Sequence, residues 1–456
     1  MITTRETIFA LSSGRLPAAI AVVRISGPQA GGALKALIGR LPEPRRGALA
    51  RIRRPGTDEL LDEALALWFP APRSETGEDV AELQLHGGRA VLAAVLSALG
   101  ELPGLRPAGP GEFTRRAFLN GQIDLAGVEG LGDLIGAETD AQRRVALRQM
   151  KGALSSQVEN WRGRLIEALA LVEAGIDFAD EGDVPEGLAA QAQAVVRPMA
   201  DQIGRLLAQP AREERLREGL TVAIAGPPNA GKSTLLNALA RRDAAIVSDI
   251  PGTTRDVIEV HLDLEGYPVA LLDTAGIRDT SDPVEREGVR RAEARVADAD
   301  LVLWLRDATD PHAAALPPAG RAVVWPVTTK SDLEEGDLAE RELSGSDFGG
   351  EGASAEGHVI SARTGSGMDR LVGAIAAYAR DYFEPVESGL ITRERQRAAL
   401  SEANAHLLRG LEHGIGAEEL VAEDFRLAAR ALGRVSGRVD VEDVLDSIFR
   451  DFCIGK

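Results

Sequence analysis

The stretch Gly226-Pro-Pro-Asn-Ala-Gly-Lys-Ser233 has the residue types and spacing of a loop that holds a phosphate chain. An apolar run, Thr221 to Ala225, enters it, and Thr234-Leu-Leu-Asn-Ala-Leu-Ala240 leaves it with helical character. Those flanks separate it from a mere glycine turn before a helix. Backbone N–H groups of Asn229, Ala230, Gly231, Lys232, Ser233 and Thr234 are expected to cradle oxyanions at the positive end of that helix. Lys232 would reach the β and γ phosphates, and Ser233 would ligate Mg²⁺.

Three further elements follow in a meaningful order. Tyr267 to Gly276 reads as a strand that ends in Asp273-Thr274-Ala275-Gly276. Asp273 suits the Mg²⁺ shell, and the Gly276 N–H can sense a γ-phosphate. Ala322 to Asp332 reads as a strand that runs into Thr329-Lys330-Ser331-Asp332. A carboxylate at Asp332 can accept the N1–H and N2–H of guanine together, a pair that adenine does not offer. His358 to Gly365 is a third strand, and Ser361-Ala362-Arg363 at its end can meet guanine O6 through backbone N–H. All four in sequence point to a GTPase. The base motif normally opens with Asn, and here Thr329 stands in its place. Either its hydroxyl replaces the amide or the guanine site is weaker.

Hydrolysis needs an oriented water, yet the residue after Gly276 is Ile277, which cannot polarise one. Nearby lies Ser248-Asp249-Ile250-Pro251-Gly252-Thr253-Thr254-Arg255-Asp256, in which Thr254 is placed for Mg²⁺. Asn229, inside the phosphate loop, either helps bind a monovalent cation or only stabilises the loop. Glu285 either positions water or is a solvated carboxylate at a helix start.

These residues sit within a 456-residue chain, long enough for two to four domains. Residues 1–118 read as a mixed α/β block of short strands with one or two helices. From Asp140, apolar residues at Leu147, Met150, Leu154, Val158, Trp161, Leu165, Ala168 and Val172 predict one long amphipathic helix. Helical periodicity continues to about Arg217 and returns at Ala399, Ala403, Leu407 and Leu411. The fold class expected is multidomain α/β + α, a helical domain (119–217 and 380–456) interrupted by an inserted Ras-like P-loop domain (218–379). An acidic stretch, Glu334 to Gly357, reads as a surface loop.

The formal charge of −18 argues against a chain that wraps nucleic acid unaided. One cysteine, Cys453, excludes an internal disulfide framework and fits a reducing compartment. No apolar run reads as a leader or a membrane span, so a cytoplasmic protein is expected.

Together, "GPPNAGKS", "GTTRD", "DTAGIR", the interrupted helical domain and the terminal "FCIGK" resemble the MnmE (TrmE) family of tRNA-modification GTPases. "AVVRISG", "ELQLHGG" and "PGEFTRRAFLNGQIDLA" extend the resemblance through the first block. The resemblance implies a homodimer that works with an FAD- and NADH-dependent partner, MnmG, in a heterotetramer or larger complex. It implies an aminomethyl-type group, of the carboxymethylaminomethyl kind, placed on the wobble uridine of certain tRNAs. A formyl- or methylene-tetrahydrofolate would supply the one-carbon unit to a first domain that also dimerises. It further implies K⁺ around Asn229, Ser248, Ile250 and Thr253, Mg²⁺ on Ser233 and Thr254, and a water organised by Glu285, with Arg255 in the same ordered loop. A folate site is implied at Arg24, Glu82, Gln122 and Lys456, where Gln122 departs from the expected lysine. Cys453 is either a small helix-end residue or a thiol that matters for modification. The competing readings are a GTPase switch in ribosome assembly and a folate-binding scaffold gated by GTP.

Overall fold

A computed structural model describes residues 6–177, 187–208, 212–227, 229–242, 245–246, 259–273, 299–309, 322–333, 357–383, 390–413, 417–439, 445, 448–450, 452 and 454–455. The chain divides into two compact units, both discontinuous in sequence.

The first unit gathers Met1–Gly132, Gln149–Gln202 and Ala399–Lys456. Its sheet contains Thr7–Leu11 (β1), Ile20–Ser26 (β2), Ala48–Arg53 (β3), Leu60–Phe69 (β4), Val80–His86 (β5) and Leu105–Pro107 (β6), in the order β3-β4-β5-β2-β1-β6. Only the β1–β6 pair is parallel. Alternation assigns the two faces. Val23, Ile25, Leu83 and Leu85 meet Leu34, Leu37, Val95 and Leu99 from the helices Ala30–Ile38 and Arg89–Gly100. Between them in sequence, Arg24 stands directly opposite Glu82. A third helix, Glu112–Leu119, exceeds the one or two expected for this block.

The same unit holds a seam of two helices, one before and one after the nucleotide block in sequence. Ala153–Asp177 buries Leu154, Val158, Trp161, Leu165, Ala168 and Val172. Glu418–Ser436 buries Val421, Phe425, Ala428, Leu432 and Val435, and the two helices pack together. Alternating steps of four and three on both strips are the spacing of a paired-helix seam. Arg426 bonds Glu173 at 2.9 Å across it. The two helices therefore pair although the nucleotide block separates them in sequence.

One helix expected from Asp140 to Val172 is two, Asp140–Met150 and Ala153–Asp177. Gly152 sits between them at φ +80°, a left-handed conformation that ends helices. Ala141 and Val145 of the shorter helix join the core of the second unit instead.

The chain's end is tied to the first sheet. Ile454 bridges Pro110, and the Ser12 hydroxyl donates to the Gly455 carbonyl at 2.7 Å. Gly455 has φ +100°, and a Cβ there would lie 1.9 Å from the Leu11 carbonyl oxygen. Leu11 pairs with Val23, the neighbour of Arg24, so the tail meets the sheet close to the Arg24 row.

A charged cluster fixes the loop before β5. Arg116 is 1% exposed and bonds Glu78 at 3.0 Å, Glu112 at 3.1 Å and the Glu6 carbonyl at 3.0 Å. Ser26 bonds Glu78 at 2.8 Å and Thr76 at 2.7 Å. Burial opposes ionisation of Glu112, but Arg106, the Gly109 N–H and Arg116 outweigh it and hold the carboxyl at about 2.

The second unit gathers Asp133–Arg148 and Ile203–Ala398. Its strands are Leu220–Ala225 (β7), Ala245–Ile246 (β8), Glu259–Leu264 (β9), Tyr267–Asp273 (β10), Leu301–Asp307 (β11), Val323–Thr329 (β12) and His358–Val359 (β13). The order is β13-β12-β11-β7-β10-β9-β8; β7, β10, β11, β12 and β13 are parallel, and β9 and β8 continue antiparallel. β7 is buried between two neighbours and reads as a continuous apolar run, as central parallel strands do. The phosphate loop follows β7, and the segments carrying Asp273, Thr329 and Ser361 end or follow β10, β12 and β13. Parallel pairing puts all four at the carboxyl edge of the sheet, where α/β folds bind ligands. Among the described residues, no helix is long and apolar enough to cross a membrane.

Replacing Arg116 by Ala would take the buried guanidinium from Glu78 and leave Glu112 with Arg106 alone as its cation. Loss of one hydrogen-bonded charge partner from such a cluster costs about 1.5–3 kcal/mol. Arg116→Ala is therefore expected to lower the urea midpoint of the first unit, read by the fluorescence of Trp68 and Trp161 in a background where Trp304 and Trp325 are replaced by Phe. An unchanged midpoint would show that the cluster adds nothing net.

Candidate functional site

The phosphate loop begins with a close passage. Gly226 has φ +143°, and a Cβ there would lie 2.4 Å from the Leu305 carbonyl oxygen of β11. Only glycine lets the chain leave β7 this way. Asn229 then takes φ +62° and Gly231 φ +91°. Asn is the side chain that tolerates that left-handed region best after glycine, which is a sufficient local reason for its presence. Gly231 caps the helix Lys232–Ala240. The first rung of that helix is the Leu235 N–H to the Gly231 carbonyl, 2.9 Å. The N–H groups ahead of it, at the helix start, face an anion-binding position. Lys232 Nζ donates to the Gly226 and Pro227 carbonyls at 2.9 and 3.0 Å, so its ammonium lies across the loop.

The base edge is assembled from three strand ends. Thr329 is buried, and its hydroxyl contacts the Ala230 carbonyl at 2.7 Å, which links β12 to the phosphate loop. Lys330 turns the chain at φ +59° and pairs with Asp307 at 2.5 Å. Burial raises the Asp307 carboxyl, but Lys330 and the Thr309 N–H and hydroxyl more than offset it and keep the group below the usual range. Asp332 accepts the Ser361 hydroxyl at 2.6 Å. That bond is the main cause that holds its carboxyl below the usual range, with Arg363 adding charge. The Thr364 N–H donates to the same Ser361 oxygen at 3.2 Å, so Ser361-Ala362-Arg363 forms a tight turn beside the carboxylate. Asp307 escaped the sequence reading; its only signal was an acidic residue closing the apolar run Leu301 to Leu305.

The backbone of Asp273 pairs with Ile224, one residue before the end of β7. Ser233 and Thr234 lie in the first turn of the helix after the loop. Ser248, Asp249, Ile250, Pro251, Gly252, Thr253, Thr254, Arg255, Thr274, Ala275, Gly276 and Glu285 lie outside the described residues, as do Cys453 and Lys456.

In the first unit, Arg24 and Glu82 are joined at 2.9 Å, and Arg24 also meets Glu75 at 2.5 Å. Their side chains are 16% and 18% exposed for the Arg24–Glu82 pair, so neither is an ordinary surface residue. Arg24 lies 5.8 Å from the Phe113 ring centroid. Gln122 lies beside the same loop: a Cβ on Gly77 would lie 3.1 Å from its Nε2. Glu75 is the member that sequence reading missed; nothing local marks it, because its partner is on β2. Arg24 occupies only the Oε1 oxygen of Glu82. A carboxylate and a guanidinium on one sheet face suit a ligand with both N–H donors and carboxylates.

Ser361→Ala removes the bond that depresses Asp332. The folded carboxyl then returns toward its ordinary range, so the form that accepts guanine persists over a narrower window. GDP affinity is expected to fall several-fold at neutral pH. Its acid limb should move to higher pH, measured by fluorescent-GDP titration from about pH 3 upward, since the limb lies at or below the ordinary carboxyl range. An unshifted limb would remove Ser361 from the site.

Comparisons place these features. A family model described as the MnmE helical domain matches residues 125–453, and one described as the GTP-binding protein TrmE N-terminus matches residues 7–122. The tRNA modification GTPase MnmE of Bradyrhizobium sp. (strain ORS 278) is 57% identical over 453 residues, 99% of each chain. That of Rhodopseudomonas palustris (strain ATCC BAA-98 / CGA009) is 55% identical over 451 residues, again 99% of each. Among solved structures, the G domain of the T. maritima FeoB iron transporter aligns with 35% of this chain and 98% of its own at 25% identity, with a TM-score of 0.25. The chain belongs to the tRNA modification GTPase MnmE family.

Proposed function

We propose that this chain is the GTP-hydrolysing subunit of a complex that adds a carboxymethylaminomethyl-type group to the wobble uridine of certain tRNAs. The observation that carries the reading is one chain with a phosphate cradle and a carboxylate-bearing base edge in one unit and a paired Arg24–Glu82 face in the other. Similarity to tRNA modification GTPases over 99% of the chain supports it. Residues 1–118 are assigned to folate binding and dimerisation, 119–217 and 380–456 to the helical domain, and 218–379 to GTP.

Guanine donates N1–H and N2–H to Asp332 and accepts at O6 from N–H groups of the Ser361–Arg363 turn. Lys232 and the N–H groups of Asn229 to Thr234 hold the phosphates. Glu285 orients the water, because Ile277 cannot. The water oxygen attacks the γ-phosphorus, and the bond to the β–γ bridging oxygen breaks. Ser233 and Thr254 would hold Mg²⁺, which neutralises phosphate charge. Asn229, Ser248, Ile250 and Thr253 would hold K⁺, which supplies the positive charge an arginine finger gives elsewhere. Arg255 keeps that loop ordered. Paired copies of the GTP-binding unit form around the nucleotide, and hydrolysis separates them again. In the first domain Glu82 takes the pterin donors, and Arg24 and Lys456 take carboxylates of a formyl- or methylene-tetrahydrofolate beside Gln122 and Cys453. An FAD- and NADH-dependent partner of the MnmG type completes the site, in the cytoplasm.

The direct test is mass spectrometry of wobble nucleosides from a deletion strain complemented by wild type or Asp273→Ala. The modified uridine is expected to vanish on deletion and to return only with wild type. An unchanged nucleoside profile in the deletion strain would sink the assignment in favour of a ribosome-assembly switch. The cation assignment has its own readout, the GTPase rate in K⁺ against Na⁺ at equal ionic strength. K⁺ should raise it by about tenfold or more, and Asn229→Ala should abolish the difference. Equal rates in the two salts would remove K⁺ from the site.

A further inference from the structure

Position 329 is where the chain departs from the usual base motif, and its hydroxyl is turned inward. Thr329 is 4% exposed. Its Oγ1 lies 2.7 Å from the Ala230 carbonyl oxygen and 3.1 Å from that of Arg306. Both neighbours are acceptors, so the hydroxyl donates, and it has one proton to give. The shorter contact takes it. An amide has two N–H groups and can divide them between the loop and the base. A hydroxyl that donates to Ala230 has no proton left for an acceptor on the base.

The anchor itself is rigid. The Thr329 carbonyl accepts the Ala308 N–H at 3.0 Å, and Thr329 pairs in register with Asp307. Immediately after it, Lys330 is held by Asp307, and Asp332 by Ser361. Ala230 and Gly231 share a peptide that carries the bonded carbonyl. In a trans peptide the N–H points opposite to the C=O. Pinning the Ala230 oxygen against β12 therefore turns the Gly231 N–H the other way, toward the phosphate side of the loop.

We infer that Thr329 is a positioning residue: its hydroxyl orients the Ala230–Gly231 peptide so that the Gly231 N–H meets the β-phosphate, and it makes no contact with the base. This rests on the nucleotide reading of the Gly226–Ser233 loop and of Asp332. It divides the work cleanly. Selection of guanine stays with Asp332, and Thr329 sets the grip on phosphate.

The test is a set of dissociation constants on the full chain, by competition with fluorescent GDP. Thr329→Val keeps the shape and removes the donor, which leaves a buried carbonyl unsatisfied. GDP and inosine diphosphate should both bind about tenfold more weakly, with their ratio unchanged. GMP, which lacks the β-phosphate, should bind the variant as it binds wild type. Thr329→Ser should restore GDP affinity to within about twofold. Should Val unfold the unit, the contrast between Thr329→Ser and Thr329→Ala carries the same information. Unchanged GDP affinity in Thr329→Val would overturn the inference, and so would a shift in the GDP-to-inosine-diphosphate ratio, which would mean that the hydroxyl reads the base. Asp332→Ala is the separate control: it should collapse that ratio. If it does not, the base reading fails, and the inference with it.

Discussion

The passage of Gly226 under β11 is the constraint on which the nucleotide edge depends. Its hypothetical Cβ, 2.4 Å from the Leu305 carbonyl, shows how little room exists. Because the loop leaves β7 so close to its neighbour, it stays within hydrogen-bond reach of β12, two strands away. Thr329 can then bond Ala230, and the cradle is braced from the side that carries the base motif. Phosphate and base recognition are thereby built on one set of strand ends. A larger residue at 226 would part the loop from β11 and loosen the base edge along with the cradle.

The first unit solves a different problem with a similar economy. Its sheet has one face covered by two helices and another that carries Arg24, Glu82 and Ser26. Charge on a half-buried face must be paired. Arg24 is shared by Glu75 and Glu82, and Arg116 by Glu78 and Glu112, so the loop 74–78 is held at both ends. The chain's last residues close on the same sheet through Ser12 and Pro110. A glycine two places from the end is required there, since any side chain would collide with Leu11. The short terminal motif is thus a docking geometry before it is any chemistry.

How much of this was legible depended on distance along the chain. The phosphate loop could be read because its strand, turn and helix are contiguous, and the order of base motifs because each follows an apolar strand. The parallel strand order could not be read, yet it is what gathers those motifs. Asp307 and Lys330 are 23 residues apart, and Arg24 and Glu75 51, so their pairing exists only in the fold. The helix break at Gly152 was hidden for another reason. Apolar positions on both sides of it keep the same steps of three and four, so periodicity passes through it unchanged; glycine's preference for the left-handed region was the only sign. The role of Thr329 was left open because a hydroxyl's partner is fixed by its direction, which the sequence does not state.

The net charge of −18 fits this division of labour. Charges separated by more than about 8 Å are largely screened at physiological ionic strength. A polyphosphate enclosed by backbone N–H groups and Lys232 therefore responds to its immediate surroundings and not to the whole chain. A tRNA is different, because its backbone contacts a surface tens of ångströms wide, and its affinity comes from many cations that displace counterions. Four arginines of the first unit, Arg51, Arg54, Arg106 and Arg116, are paired with Glu63, Glu59, Glu101, Glu6, Glu78 and Glu112. The same acidity that leaves a nucleotide site untouched works against broad contact between this chain and a polyanion.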